Sequence, residues 1–370
     1  MSNLQFSTNN CIKNKLEKGG FISKENAVWL QGVAVMLMVF HHLFAFPERV
    51  HVPYTMVLDF SFFHFETILS YFGRICIGMY AFISGYGMAK VATVKLQYKN
   101  PVIHGYKLIF HQLLKFYLRF WIVFSVFVPI GFILGVYQFE WAVFLKSLIG
   151  INTTYNGEWW YILDYLKFLL LFPFLFWIIS SISKLRKVWR IIIYTIIIVF
   201  LLVSEFIPII NQHFSLMPAF VIGMIVFESG FFELVFSLLI KTGRLRYIIS
   251  LFGIALIVLE RFFFSISNQL DFIIIPFFCF FTLIFGKSVF FERLLNRSIG
   301  VIGKYSTYIW LTHTFFAYYY FQSFTYFPKY SILIFLLCMI MTLIVGIAFE
   351  TCIQFVKNII NKNKMGFKKQ

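Results

Sequence analysis

Charge is what this sequence has least of. Only 13% of its 370 residues are Asp, Glu, Lys or Arg, about half the share of a soluble chain. Hydrophobic residues make up 60% of positions, and 52 of them are Phe. So little charge excludes a string of soluble domains. Ten membrane spans at about 20 residues each would use roughly 200 positions, and what is left is too short and too dispersed for a soluble catalytic domain. Cysteine is also scarce. Cys11, Cys76, Cys279, Cys338 and Cys352 are scattered without a Cys-x-x-Cys pair, which excludes a cysteine metal site or a disulfide framework. Four of the five sit in apolar stretches and read as small core hydrophobes. Period-two alternation is missing too, and the apolar runs are about twice a membrane strand's length, which excludes a membrane barrel. No internal repeat is visible, which counts against the many transporters built from inverted repeats.

What is present is one long series of apolar runs. The expected fold is all-α, a polytopic membrane bundle of about ten transmembrane helices. Runs bounded by charge, Pro and Gly fall near 27–46, 66–90, 114–136, 159–180, 190–210, 214–231, 246–264, 269–286, 300–322 and 330–356. Residues 1–26 are polar and lack a cleavable apolar core, so they read as a cytoplasmic tail and the first span as retained. Residues 27–356 form the membrane domain and 357–370 a basic cytoplasmic tail. Residues 137–150 are too short and mixed to span and read as an interfacial segment on the outer side.

The formal net charge of +17 suggests nucleic acid until its placement is considered. No basic tract or stripe is present. Lys and Arg instead gather in small clusters, such as Lys184, Arg186, Lys187 and Arg190. Of the 32 in the chain, Arg49, Lys146, Arg261 and Lys329 alone fall on the opposite connections, with Arg74 and Lys167 inside spans. That asymmetry puts both termini in the cytoplasm of a cell membrane. The expected partners include the lipid bilayer but no nucleic acid, and a homo-oligomer is left open.

Ionisable side chains inside hydrocarbon cost several kcal/mol unless they face a cavity or a partner, so these are the informative residues. The first span carries His41 and His42, the second Arg74, the fourth Asp164 and Lys167, the fifth Glu205 and the ninth His313. Adjacent helical residues point about 100° apart, so one of the two histidines faces the bundle interior. His42, Arg74 and His313, with Glu158, Trp159 and Trp160 where the fourth span begins, all fall in the outer half of the membrane. Lys107, Lys115 and Arg119 mark a basic inner mouth at the third span. A charged donor entering from inside and a neutral acceptor arriving from outside would suit this arrangement. A transporter or flippase of a lipid-linked glycan would use the same polar path, and stands as the alternative. A non-catalytic scaffold would gain nothing from burying these groups.

The same segments resemble the acyltransferase-3 family of membrane acyltransferases, which includes O-acetyltransferases of bacterial surface polysaccharides. Gln31 to His42 keeps the family's spacing of a basic residue, ten positions and His, although Gln31 is not basic. Gly73-Arg74-Ile75-Cys76-Ile77-Gly78-Met79-Tyr80-Ala81-Phe82-Ile83-Ser84-Gly85-Tyr86 is similar to its aromatic-rich stretch ending in Ser-Gly-aromatic. Lys115 and Arg119, four apart, stand where the family has an Arg-x-x-Arg pair. Gly303-Lys304-Tyr305-Ser306 followed by Tyr308, Leu311 and His313 resembles its late signature, and Trp160 matches a frequent Trp at the fourth span.

The resemblance implies an O-acyltransferase using a short acyl-CoA, acetyl-CoA first, as donor and no metal. The acceptor is a hydroxyl of a surface polysaccharide or its lipid-linked precursor. His42 rather than His41 is implied as the catalytic base or transient acyl carrier. Arg74, at similar depth, is expected to supply charge missing at Gln31 and to stabilise the oxyanion. Lys115, Arg119 and Ser84 are expected on the donor side, and Glu158, Trp160 and His313 on the acceptor side or in support. His41 is expected to be structural. The family's esterase-like C-terminal domain has no counterpart in this sequence, so any second transfer step is expected to use another protein.

Overall fold

A chain with this much apolar surface must satisfy its backbone polar groups internally if lipid surrounds it, and helices do so within one segment. The computed structural model describes residues 20–60, 63–96, 100–263, 267–288, 291 and 295–367. The N-terminal tail through residue 19, with Cys11, lies outside the described residues, as do Lys368 and Lys369 of the C-terminal tail. The described chain is a membrane-type helical bundle. Its helices are α1 (Lys24–Phe44), α2 (Phe65–Phe72), α3 (Ile75–Lys95), α4 (Pro101–Ile133), α5 (Trp141–Leu148), α6 (Tyr161–Ser183), α7 (Lys187–Glu205) and α8 (Pro208–Phe214). They continue with α9 (Met217–Ser229), α10 (Phe231–Leu239), α11 (Leu245–Phe263), α12 (Ser267–Gly286), α13 (Asn296–Lys304), α14 (Ser306–Thr314), α15 (Gln322–Thr325) and α16 (Ser331–Phe367). The one sheet among the described residues is a hairpin that pairs Asp59–Phe60 with Phe63–His64.

Seven stretches among the described residues are long and apolar enough to cross a membrane, and the bent pair α8–α9 would make an eighth. Helix also occupies the two other expected stretches, but in a different form. α11 carries Arg246, Glu260 and Arg261 within its 19 residues. The ninth stretch is broken between Lys304 and Ser306, then loosens into a π-turn over Phe315–Tyr319. The segment at 137–150 contains α5, whose Trp141 and Leu145 are exposed and whose Ser147 is buried. Cys76, Cys279 and Cys338 are buried and form no disulfide, whereas Cys352 is exposed on α16.

The helices group into two compact units. Among the described residues one comprises 20–34, Ile75–Ile109 and Asp164–Gly303; the other comprises Val35–Arg74, Phe110–Leu163 and 304–367. In the first, α3 and α9 cross at two glycines. A Cβ on Gly85 would strike the carbonyl of Phe220, and one on Gly223 the carbonyl of Phe82. Small residues at a crossing let two backbones approach closely, which is a main source of helix association in lipid.

The second unit is centred on aromatic packing. Phe127 and Phe315 stack with centroids 4.6 Å apart, and the buried Trp159 meets Phe120 edge-on at 5.0 Å. The loop after α1 is stitched to the start of α16: Thr55 N donates to Lys329 O and Ser331 N to Thr55 O. The hydroxyl of Ser331 lies 2.8 Å from both carboxylate oxygens of the buried Glu66, which gives that carboxylate a partner.

Gly223→Val is expected to lower stability by about 1–3 kcal/mol, the usual cost of overpacking a well-filled site. Gly87→Val, whose Cβ would meet nothing within 4 Å, serves as the control. The check is the melting midpoint of detergent-solubilised protein, followed by tryptophan fluorescence.

Candidate functional site

The first helix ends soon after its two histidines, with Pro47 closing off continuation. His41 and His42 leave the helix in different directions. The Nδ1 of His41 lies 2.7 Å from the carbonyl of Ser70, which ties α1 to α2. That approach depends on Gly73, where a side chain would collide with the carbonyl of Leu37 and the Cβ of His41. His42 turns instead into the core of the second unit, and both of its ring nitrogens are engaged.

On one side, His42 Nδ1 lies 2.9 Å from His313 Nε2. His313 sits near the end of α14 and is fully buried. Its Nδ1 faces the carbonyls of Ile309 at 3.1 Å and Trp310 at 2.8 Å. On the other side, His42 Nε2 lies 3.1 Å from Glu158 Oε2, and Arg49 Nη1 reaches the second carboxylate oxygen at 3.3 Å. The Arg49 guanidinium covers the ring of Phe46 at 4.4 Å and that of Tyr318 at 5.5 Å. The hydroxyl of Tyr318 donates to the carbonyl of His42 itself. The result is a line of four polar groups, His313, His42, Glu158 and Arg49. A carboxylate only 17% exposed needs such partners, because removing them leaves a poorly solvated charge.

Local structure holds Glu158 in place. It is the second residue of a single 3-10 turn, Gly157–Trp160, capped by Asn156. The Asn156 side chain accepts from Glu158 N at 3.0 Å and donates to Thr314 Oγ1 at 2.8 Å, one residue past His313. Gly157 N donates to Tyr319 Oη at 3.0 Å. Gln322 fixes the Arg49 segment by donating to Arg49 O at 2.8 Å and accepting from His51 N at 3.0 Å. The π-turn after α14 brings Tyr318 and Tyr319 to this site, and such turns are frequent at functional positions.

Of the residues singled out from the sequence, the structure therefore brings together His42, Glu158 and His313. Arg74 is exposed at the break between α2 and α3 and within electrostatic reach of His41. Trp160 is 38% exposed and meets Tyr161 edge-on, while its neighbour Trp159 is buried and donates to Leu311 O at 3.1 Å. Lys115 is exposed on α4. Arg119, one turn further, is already engaged: its Nε lies 3.4 Å from Glu350 Oε2, to which Tyr308 Oη donates at 2.8 Å. Ser84 belongs to the first unit, half-buried on α3. Asp164 and Lys167, also there, pair with each other at 2.7 Å.

Arg49, Tyr318, Asn156 and Gln322 were not singled out by sequence reasoning. Each lies in a loop or at a helix break, where no period marks it, and its partner is remote in the chain. Among the described residues no group of three or more His, Cys, Asp or Glu could hold a metal ion; the nitrogens of His42 and His313 face each other rather than a common point.

The family model described as an acyltransferase domain, that of the acyltransferase-3 family, matches residues 28–351. No curated protein and no solved structure matches the chain.

Asn156→Ala is expected to cost about 1–3 kcal/mol by leaving buried groups unpaired and to loosen Glu158. The loss should appear as a lower melting midpoint, and Thr314→Val should add little to it if the two side chains act as a pair.

Proposed function

The chain belongs to the acyltransferase-3 family, and on that premise we propose that it is a cell-membrane O-acyltransferase. It moves an acetyl group from cytoplasmic acetyl-CoA to a hydroxyl of a surface polysaccharide or of its lipid-linked precursor. With α8–α9, α11 and the broken run α13–α14 counted as crossings, the chain passes the membrane ten times with both termini in the cytoplasm. The end of α1, Arg49 and Glu158 then lie towards the outer side, where the acceptor arrives.

The observation that carries this reading is the buried imidazole of His42 held between His313 and Glu158. A thioester is already activated, so the protein must mainly supply a base and a cation. His is the side chain whose ordinary pKa suits proton transfer near neutral pH. The ring removes the acceptor's hydroxyl proton while the hydroxyl oxygen attacks the thioester carbonyl. Arg49 takes the part expected of Arg74, because its guanidinium shares Glu158 with the ring and arginine keeps its charge. A fixed cation beside developing negative charge is among the largest contributions a site makes to rate. On the donor side Lys115 and Arg119 hold the CoA phosphates through charge-assisted hydrogen bonds, and Arg119 exchanges Glu350 for a phosphate as the donor binds. The exposed indole of Trp160 offers the acceptor sugar an apolar face.

His42→Ala is expected to reduce transfer by on the order of 10²–10⁴ while the protein still inserts in the membrane. Proton NMR of surface polysaccharide from cells making the variant measures the acyl groups left. Undiminished acyl content would remove His42 from the mechanism.

A further inference from the structure

Hydrogen-bond direction in the cluster can be followed from its innermost atom outward. His313 Nδ1 faces two main-chain carbonyls, and a carbonyl only accepts, so Nδ1 carries a proton. In a neutral ring Nε2 then bears a lone pair. That lone pair faces His42 Nδ1 at 2.9 Å, so His42 Nδ1 must donate to it.

The two sides of the His42 ring also differ in access. The Nδ1 side is sealed by His313, which is fully buried, and by Phe315 and Thr314, equally buried, beside it. The Nε2 side faces Glu158, at 17% exposure, and beyond it Arg49, at 46%. Direction and access point to the same nitrogen. We propose that His313 is a positioning residue that keeps a proton on His42 Nδ1 throughout turnover and so commits all proton transfer to His42 Nε2.

The kinetic consequence rests on the acyltransfer reading. At rest Nε2 donates a proton to Glu158 Oε2, which only accepts; once that proton has passed to the carboxylate, Nε2 takes the proton of the acceptor O–H as that oxygen bonds to the thioester carbonyl carbon. The C–S bond breaks, the proton passes from Nε2 to the departing sulfur, and the proton held by Glu158 returns to Nε2, leaving an ester, a free thiol and the ring as it began. Nδ1 never loses its proton in this cycle, because its neighbour has only a lone pair to offer. Without that neighbour the neutral ring can place its single proton on either nitrogen, and the fraction with it on Nε2 cannot act as a base toward the outside.

Two variants and a spectrum test the proposal. Glutamine at this position can accept from His42 Nδ1 through its amide oxygen, whereas leucine cannot. His313→Leu is expected to lower kcat by on the order of 10²–10⁴ with little change in the KM for acetyl-CoA, and His313→Gln to recover most of the loss. In ¹⁵N-histidine-labelled wild-type protein, with the His42 signals assigned by their absence from His42→Ala, Nδ1 should stay protonated through a pH titration while Nε2 alone changes. A bare His42 Nδ1 in the wild type overturns the proposal, and so does wild-type kcat in His313→Leu or a Gln variant no better than the Leu variant. The spectrum needs no substrate. A wild-type protein that transfers no acetyl group would therefore refute the functional reading, while the nitrogen assignment would stand or fall on its own data.

Discussion

An ionisable group placed in a bundle surrounded by hydrocarbon must find its partners inside the protein, and at this site that requirement shapes everything nearby. His42 can be buried because His313 meets one nitrogen and Glu158 the other. Glu158 can be half-buried because Arg49 meets its second oxygen. His313 is satisfied in turn by carbonyls of its own helix. Each group is tolerated only because of the next, so the line is a unit rather than four independent residues. Removing an inner member leaves a buried partner unsatisfied, which generally costs more than the hydrogen bond was worth. The row ends where it reaches Arg49, whose half-exposed guanidinium needs no further protein partner.

The membrane class was legible because it follows from composition: runs of some 20 apolar residues have few other uses. His42 and His313 were legible for the converse reason, since a polar residue within such a run stands out against its neighbours. Arg49 and Asn156 had no such background. They lie in polar loops where Arg and Asn are ordinary, and their roles come from contacts with residues far along the chain, Arg49 with Glu158 and Asn156 with Thr314. Arg74 is the converse case. It stood out in an apolar run, but the run is interrupted there, and at the α2–α3 break a long cationic side chain can reach outward without burial.

The irregular stretch from Lys304 to Thr325 illustrates why the ninth run was the least faithfully read. Hydropathy registers it as one continuous span, yet it comprises the helices α14 and α15 with a π-turn between them. The turn has a structural use. Tyr320 N and Phe321 N both donate to Phe315 O, which widens the coil, and from this turn Tyr318 reaches the carbonyl of His42 and Tyr319 the amide of Gly157. Irregular backbone is tolerated at membrane depth where protein surrounds it, and the aromatic core around Phe315 supplies that cover.

The adjacent histidines give the cleanest case of one sequence feature resolved into two roles. Helical geometry alone requires that His41 and His42 face different neighbours, but not which neighbour each finds. Gly73 decides it for His41, because only a residue without Cβ lets α2 come close enough for Ser70 O to meet that ring. With His41 fixed on α2, the rotation of α1 about its own axis is set, and His42 can point only towards α14. The ring of His42 is thus aimed partly by its neighbouring histidine and by a glycine at the end of the next helix. A larger residue at position 73 would turn α1, and with it the imidazole, without touching any group in the site.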